Sequence, residues 1–149
     1  MSLDVSGCLN HYDSGGVRFD YPDVWDLHED QEPDGDRIIT VSTEGTCFWV
    51  LRVLTGRPAA KDVVEACIAA FREEFEDIEE SSDSIQLAAL PAYSRQLEFS
   101  CMELINSVSL ACVRGSQYSL LVWWQGTDHE LTDVRPVFEQ MTRSVQFSR

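Results

Sequence analysis

Two stretches of this chain are apolar on both faces of a period-two pattern, and only a buried position satisfies such a strand. Within residues 47–54, Phe48, Val50 and Leu54 fall on one face and Trp49, Leu51 and Val53 on the other. Within residues 117–125, Tyr118, Leu120, Val122 and Trp124 alternate with Leu121 and Trp123. A strand with one apolar face can leave the other in water, whereas a strand with two needs packing above and below. The chain is therefore expected to build a sheet covered on both sides.

Two helices are legible as the cover. Between residues 60 and 75, Val64, Cys67, Ile68, Phe71 and Phe75 form one stripe, with Asp62, Glu65, Arg72, Glu73 and Glu76 opposite. Near the end, Leu131, Val134, Phe138, Met141 and Val145 step by three and four. Thr127, Asp128, His129 and Glu130 match a capping box, but Pro136 would then lie inside the helix and remove one of its hydrogen bonds. The spacing thus predicts a later start, with Asp133 as the cap.

The other periodic segments read as strands. Residues 37–42 pair with 47–54 through a turn at 43–46, and 93–104, 106–114 and 117–125 follow at meander spacing. The first of those three sets Ser94, Gln96, Glu98 and Ser100 on one face, which is expected to be only partly covered. Residues 28–36 read as an acidic loop turning through Pro33 and Gly35, and 78–87 as weakly extended. The expected fold class is α+β: a mainly antiparallel β-sheet with helices on both faces, an α/β/α sandwich.

Composition bounds what such a sandwich can do. The 149 residues suit one domain, expected over 16–149 with an N-terminal extension at 1–15, and 44% hydrophobic content supplies its core. Twenty-six acids against eleven bases give a formal charge of −15, which repels phosphate backbones and anionic lipid. The expected partners therefore include no nucleic acid and no membrane. No apolar run approaches a membrane span, and the first twenty residues lack a basic segment followed by an apolar one. The five cysteines, Cys8, Cys47, Cys67, Cys101 and Cys112, sit mostly in apolar periodic segments and read as reduced core thiols. The expected compartment is the cytoplasm, with a removed leader as the alternative.

Residues 16–25 add a more particular signal. Val17, Phe19 and Tyr21 alternate with Arg18 and Asp20, Pro22 stops the run, and Trp25 can fold back over its end. This reads as an edge strand. With the strand pair before the first helix, the Leu90-Pro91-Ala92 turn entering a strand, and the closing run from Phe138 to Phe147, the chain resembles the Mog1/PsbP-like superfamily of α/β/α sandwich proteins. The resemblance spans roughly residues 16–147 in element order. It implies binding more than chemistry, since the superfamily holds a Ran-binding nuclear transport factor, an extrinsic photosystem protein and chaperones of type VI secretion effectors. None of their partner-binding motifs carries over residue by residue; the likeness is greatest to a stand-alone bacterial member.

Catalytic chemistry finds little purchase. No Gly-x-Ser-x-Gly elbow is present, and His11, His28 and His129 all lie in polar, loop-like contexts. Asp30, Glu32, Asp34 and Asp36 alternate around a glycine at the sixth position, as at the start of a calcium loop. Val41 stands where the closing bidentate acid belongs. Cys8 and His11 are half a zinc site with no second half. The acidic run at 73–80 offers Glu73, Glu76, Glu79 and Glu80 as a docking edge for a basic protein, at a helix C-terminus where negative charge is mildly unfavourable.

The function expected from the sequence is a non-enzymatic protein-binding module, chaperone- or adaptor-like, without cofactor. Its partner would be another protein with a basic or apolar docking segment, or a second copy in a homodimer through the sheet. The alternatives are a small hydrolase or ligand-binding enzyme with an unrecognised pocket, and a calcium-binding protein using the four acids above.

Overall fold

The structure, a computed structural model, describes residues 9–148. Residues 1–8, and with them Cys8 and half of the expected N-terminal extension, lie outside the described residues. The chain runs β1 (Leu9–Ser14), β2 (Val17–Pro22), β3 (Asp26–Gln31), β4 (Arg37–Ser42), β5 (Phe48–Leu54), α1 (Ala60–Glu74), β6 (Glu79–Ser81), β7 (Gln86–Leu87) and β8 (Leu90–Pro91). It continues through β9 (Tyr93–Cys101), β10 (Leu104–Arg114), β11 (Ser119–Thr127), α2 (Asp128–Ser144) and β12 (Gln146–Phe147).

The principal sheet has seven strands in the order β3-β4-β5-β11-β10-β9-β6, each antiparallel to its neighbours. The two doubly apolar strands, β5 and β11, pair with each other inside it, with Trp49 opposite Trp124 and Leu51 opposite Val122. Both faces of this pair are packed, the second only in part. On one, Trp49, Leu51, Leu120 and Val122 pack with Phe138 and Met141 of α2 and with Val17 and Phe19 of β2. On the other, Leu110, Cys112 and Leu121 pack with Val64 and Ile68 of α1. The α+β architecture read from the sequence is the one observed.

Four expectations change. Residues 17–22 are not an edge: β2 is the middle strand of a separate three-stranded sheet, β1-β2-β12. Pro22 ends it, paired with Leu9, where a missing N–H costs the ladder least. Half of the expected acidic loop is β3, whose register against β4 supplies backbone bonds that its six mostly exposed side chains do not advertise. His11 and His28 therefore stand on strands rather than loops, both exposed.

The closing helix starts at Asp128, not at Asp133. Thr127 is its cap, accepting from the Glu130 N–H, and Pro136 lies inside it on the exposed side. The proline is tolerated because the early turns are anchored independently. Leu131 is buried, and the Glu130 carboxylate takes hydrogen bonds from Thr46 N (2.9 Å), Thr46 Oγ1 (3.1 Å) and Cys47 Sγ (3.3 Å) on the β4–β5 turn.

Of the cysteines described, Cys47 and Cys112 are buried while Cys67 and Cys101 are half-buried, and all four are free. No helix among the described residues is long and apolar enough to cross a membrane.

Candidate binding cleft

Helix α2 packs on β11 and β10 and leaves β9 on the same face of the sheet without a helix. Its position is fixed by the buried Trp49 indole, which donates from Nε1 to Thr142 Oγ1 at 3.0 Å. Beside the helix, the positions of β10 on this face are Ser107, bonded to Asp128 of α2, Ser109 and Ala111, and those of β9 are Ser94, Gln96 and Glu98. Side chains this small leave a hollow where Leu or Phe would fill the layer. The result is a cleft of about 730 Å³ floored by Gln96, Ser109, Ala111 and Val122, walled by Arg135, Glu139 and Arg143 of α2, and closed on the third side by residues 83–89. A second hollow of about 440 Å³ shares Asp83, Gln96, Trp124 and Arg135 with it and reaches Glu79 and Glu98. Together they make one trough across β9 and β10.

The trough is charged unevenly. At the α2 wall, Arg135 lies with its guanidinium carbon 5.1 Å from the Trp124 ring centre, and neither Arg135 nor Arg143 has an ion pair among the described residues. At the far end, Glu79 of the edge strand β6 stands directly opposite Glu98. Like charges in that register repel. The third wall carries backbone strain: Ala88 and Ala89, joining β7 to β8, have φ of 53° and 63°. That turn is ordinarily made by Asn-Gly, and each alanine in left-handed geometry costs about 1–2 kcal/mol. Buried Leu87 holds the hairpin down.

The four acids expected to form a docking edge separate into different environments. Glu73 is exposed at the end of α1 and Glu76 follows the helix. Glu80 is ion-paired with Arg72 (3.0 Å) and Arg95 (3.3 Å), so its charge is matched within the chain. Glu79 and Glu80 both line the trough, and of the two only Glu79 has no ion pair among the described residues.

The four calcium candidates also diverge. Asp30 stands beside His28, Nε2 to Oδ2 at 3.2 Å; Asp34 Oδ1 accepts from Asp36 N; and Asp36 Oδ1 accepts from Thr55 N and Oγ1. Glu32 borders a groove on the opposite face of the sheet. Among the described residues no three His, Cys, Asp or Glu side chains gather where they could hold a metal ion.

No cysteine or histidine lines the cleft. Burial and then the neighbouring Glu130 push the Cys47 thiol up to about 12, and burial does the same for Cys112. Neither supplies a thiolate near neutral pH. What the sequence reading missed is the α2 wall, Arg135, Glu139 and Arg143. Its floor left a signal: small residues at 107, 109 and 111 across from the polar face of 94–98.

No protein-family model matches this sequence, and no curated protein matches it. Solved structures do. LpqN of Mycobacterium tuberculosis, described as involved in cell envelope biogenesis, superposes with a TM-score of 0.55 at 12% identity, covering 95% of this chain and 90% of that one. PA94 of Pseudomonas aeruginosa, a protein of unknown function, gives 0.50 at 13% identity, with 90% and 93% covered. Cyanobacterial PsbP from Synechocystis gives 0.45 at 12% identity, with 99% and 98% covered. The chain shares its Mog1/PsbP-like fold with LpqN and PA94, and at such identities the fold is all that the likeness shows.

Proposed function

We propose that this protein is a non-enzymatic binding module that holds a segment of another protein in the trough over β9 and β10. The observation that carries this is the floor. A sheet face that could have been filled by large apolar residues instead carries Ser109 and Ala111, leaving about 730 Å³ open beside α2. Continuous with the 440 Å³ hollow toward β6, this space is long enough for an extended segment laid along the trough. Without a cysteine or histidine in the lining, the groups present favour holding over transforming.

The charge pattern supports a basic guest. Glu79 and Glu98 repel each other until a cation lies between them, so the segment presents a lysine or arginine there. Its apolar side chains fill the Ala111 and Val122 floor.

Site-specific photocrosslinking in the cells of origin tests this. With the crosslinker at Gln96 or Glu139, an adduct to one protein is expected, and none with it at Ala69 on α1. Reversing the charge at Glu79 and Glu98 to lysine removes the adduct. Equal labelling from Ala69, or an adduct indifferent to the double reversal, overturns the reading.

A further inference from the structure

The opposite face of the sheet carries a second hollow that has no part in the trough. Between α1 and strands β4, β5 and β11 lies an open groove of about 520 Å³, lined by Ile38, Phe48, Ala70, Phe71 and Trp123. The aromatic side chains support one another: Phe48 and Phe71 meet Trp123 edge-on, with ring centres 5.2 and 6.2 Å apart. Two charged groups reach this mostly apolar lining, Glu32 at its border and Arg52 of β5, whose register neighbours are Ile38 and Leu121.

Arg52 is anomalous in its bonding. Its Nε–H is withdrawn from solvent and has no acceptor, and among the described residues the guanidinium takes part in no ion pair. In a chain with 26 acids to 11 bases, a carboxylate partner is the easiest thing for the sequence to supply. Glu32 borders the same groove but makes no ion pair with Arg52. A half-buried cation with one N–H stripped of water is under-solvated, and an arriving oxyanion recovers what burial took away. The planar fork of the guanidinium matches a carboxylate.

We infer that this groove is a binding site for a small apolar molecule ending in a carboxylate, the tail lying across Phe48, Phe71 and Trp123 and the head on Arg52. The occupant is a small molecule because the volume falls in the range of small-ligand pockets. Its acid is single because one cation serves it and Glu32 disfavours a second.

The test is a calorimetric titration of the full chain with octanoate, octanol and acetate, alongside the melting temperature. Octanoate is expected to bind and to raise the melting temperature. Octanol, without the charge, and acetate, without the tail, each bind about tenfold or more weakly. Arg52→Met loses the preference for octanoate over octanol. Ala70→Trp, which changes an exposed helix position bordering the groove and leaves Arg52 alone, loses octanoate binding altogether, so the site remains testable if Arg52→Met does not fold. Equal affinity for octanoate and octanol, unchanged binding in both variants, or no octanoate binding overturns the inference. So does sedimentation as a dimer that excludes octanoate, since the groove then belongs to a second copy.

Discussion

The Trp49 indole N–H and the Thr142 hydroxyl, 93 residues apart in sequence, are joined by a buried 3.0 Å hydrogen bond that pins α2 to the sheet. Thr142 in turn donates to the Phe138 carbonyl at 2.8 Å and lines the cleft, so the same bond sets the wall of the proposed binding site. Thr142→Val keeps the shape and strands the indole N–H, with an expected loss of about 1–3 kcal/mol of stability in urea unfolding. Adding Trp49→Phe removes the orphaned donor, and the double-mutant cycle should show a coupling of about 1 kcal/mol. Additive losses would mean that the bond does not hold the helix.

Glu130 anchors the first turn of α2 to the β4–β5 turn, and hydrogen bonds from Thr46, the largest influence, hold its carboxyl below the ordinary value of 4.5. The sign follows directly. A carboxyl whose pKa is lower folded than unfolded contributes stability fully present above the unfolded value and lost as the pH falls through the folded one. Glu130→Gln is therefore expected to cost stability at pH 7 and to lessen the acid dependence below 4.5, read as melting temperature against pH. A parallel downward shift of the wild-type curve at every pH would contradict it.

Relief of strain in the third wall is measurable. Replacing both Ala88 and Ala89 with glycine removes the left-handed penalty at a smaller cost in chain entropy, for a net gain of about 1 kcal/mol. A loss of stability would show that the alanine methyls are needed for packing.

Charge repulsion across β6 and β9 predicts a gain as well. Glu98→Gln should stabilise the protein by about 0.2–1 kcal/mol at low salt, and the gain should shrink near 1 M salt, where surface charges are screened. A gain independent of salt would point to packing.

What was legible follows the strength of local patterning. The two-faced apolar strands placed β5 and β11 at the centre because no other position dries both sides. The polar face of Ser94, Gln96 and Glu98 announced an uncovered surface, which became the trough. The edge strand β3 escaped notice because its side chains are nearly all solvated and only backbone pairing defines it. The early start of α2 escaped because Pro136 argues against it locally. The anchors that override the proline, Glu130 on Thr46 and Leu131 in the core, are tertiary contacts. The α2 wall was invisible for the same reason: nothing in the sequence sets Arg135 and Arg143 across from Gln96 and Ser109.

The most direct measurement is chemical-shift mapping on isotope-labelled protein with the docking segment of the crosslinked partner. Perturbations are predicted at Gln96, Glu98, Ser109, Ala111, Arg135 and Glu139, with α1 and β1 unmoved. Shifts confined to α1 or to the β1–β3 side, with Ser109 and Ala111 silent, would contradict the account.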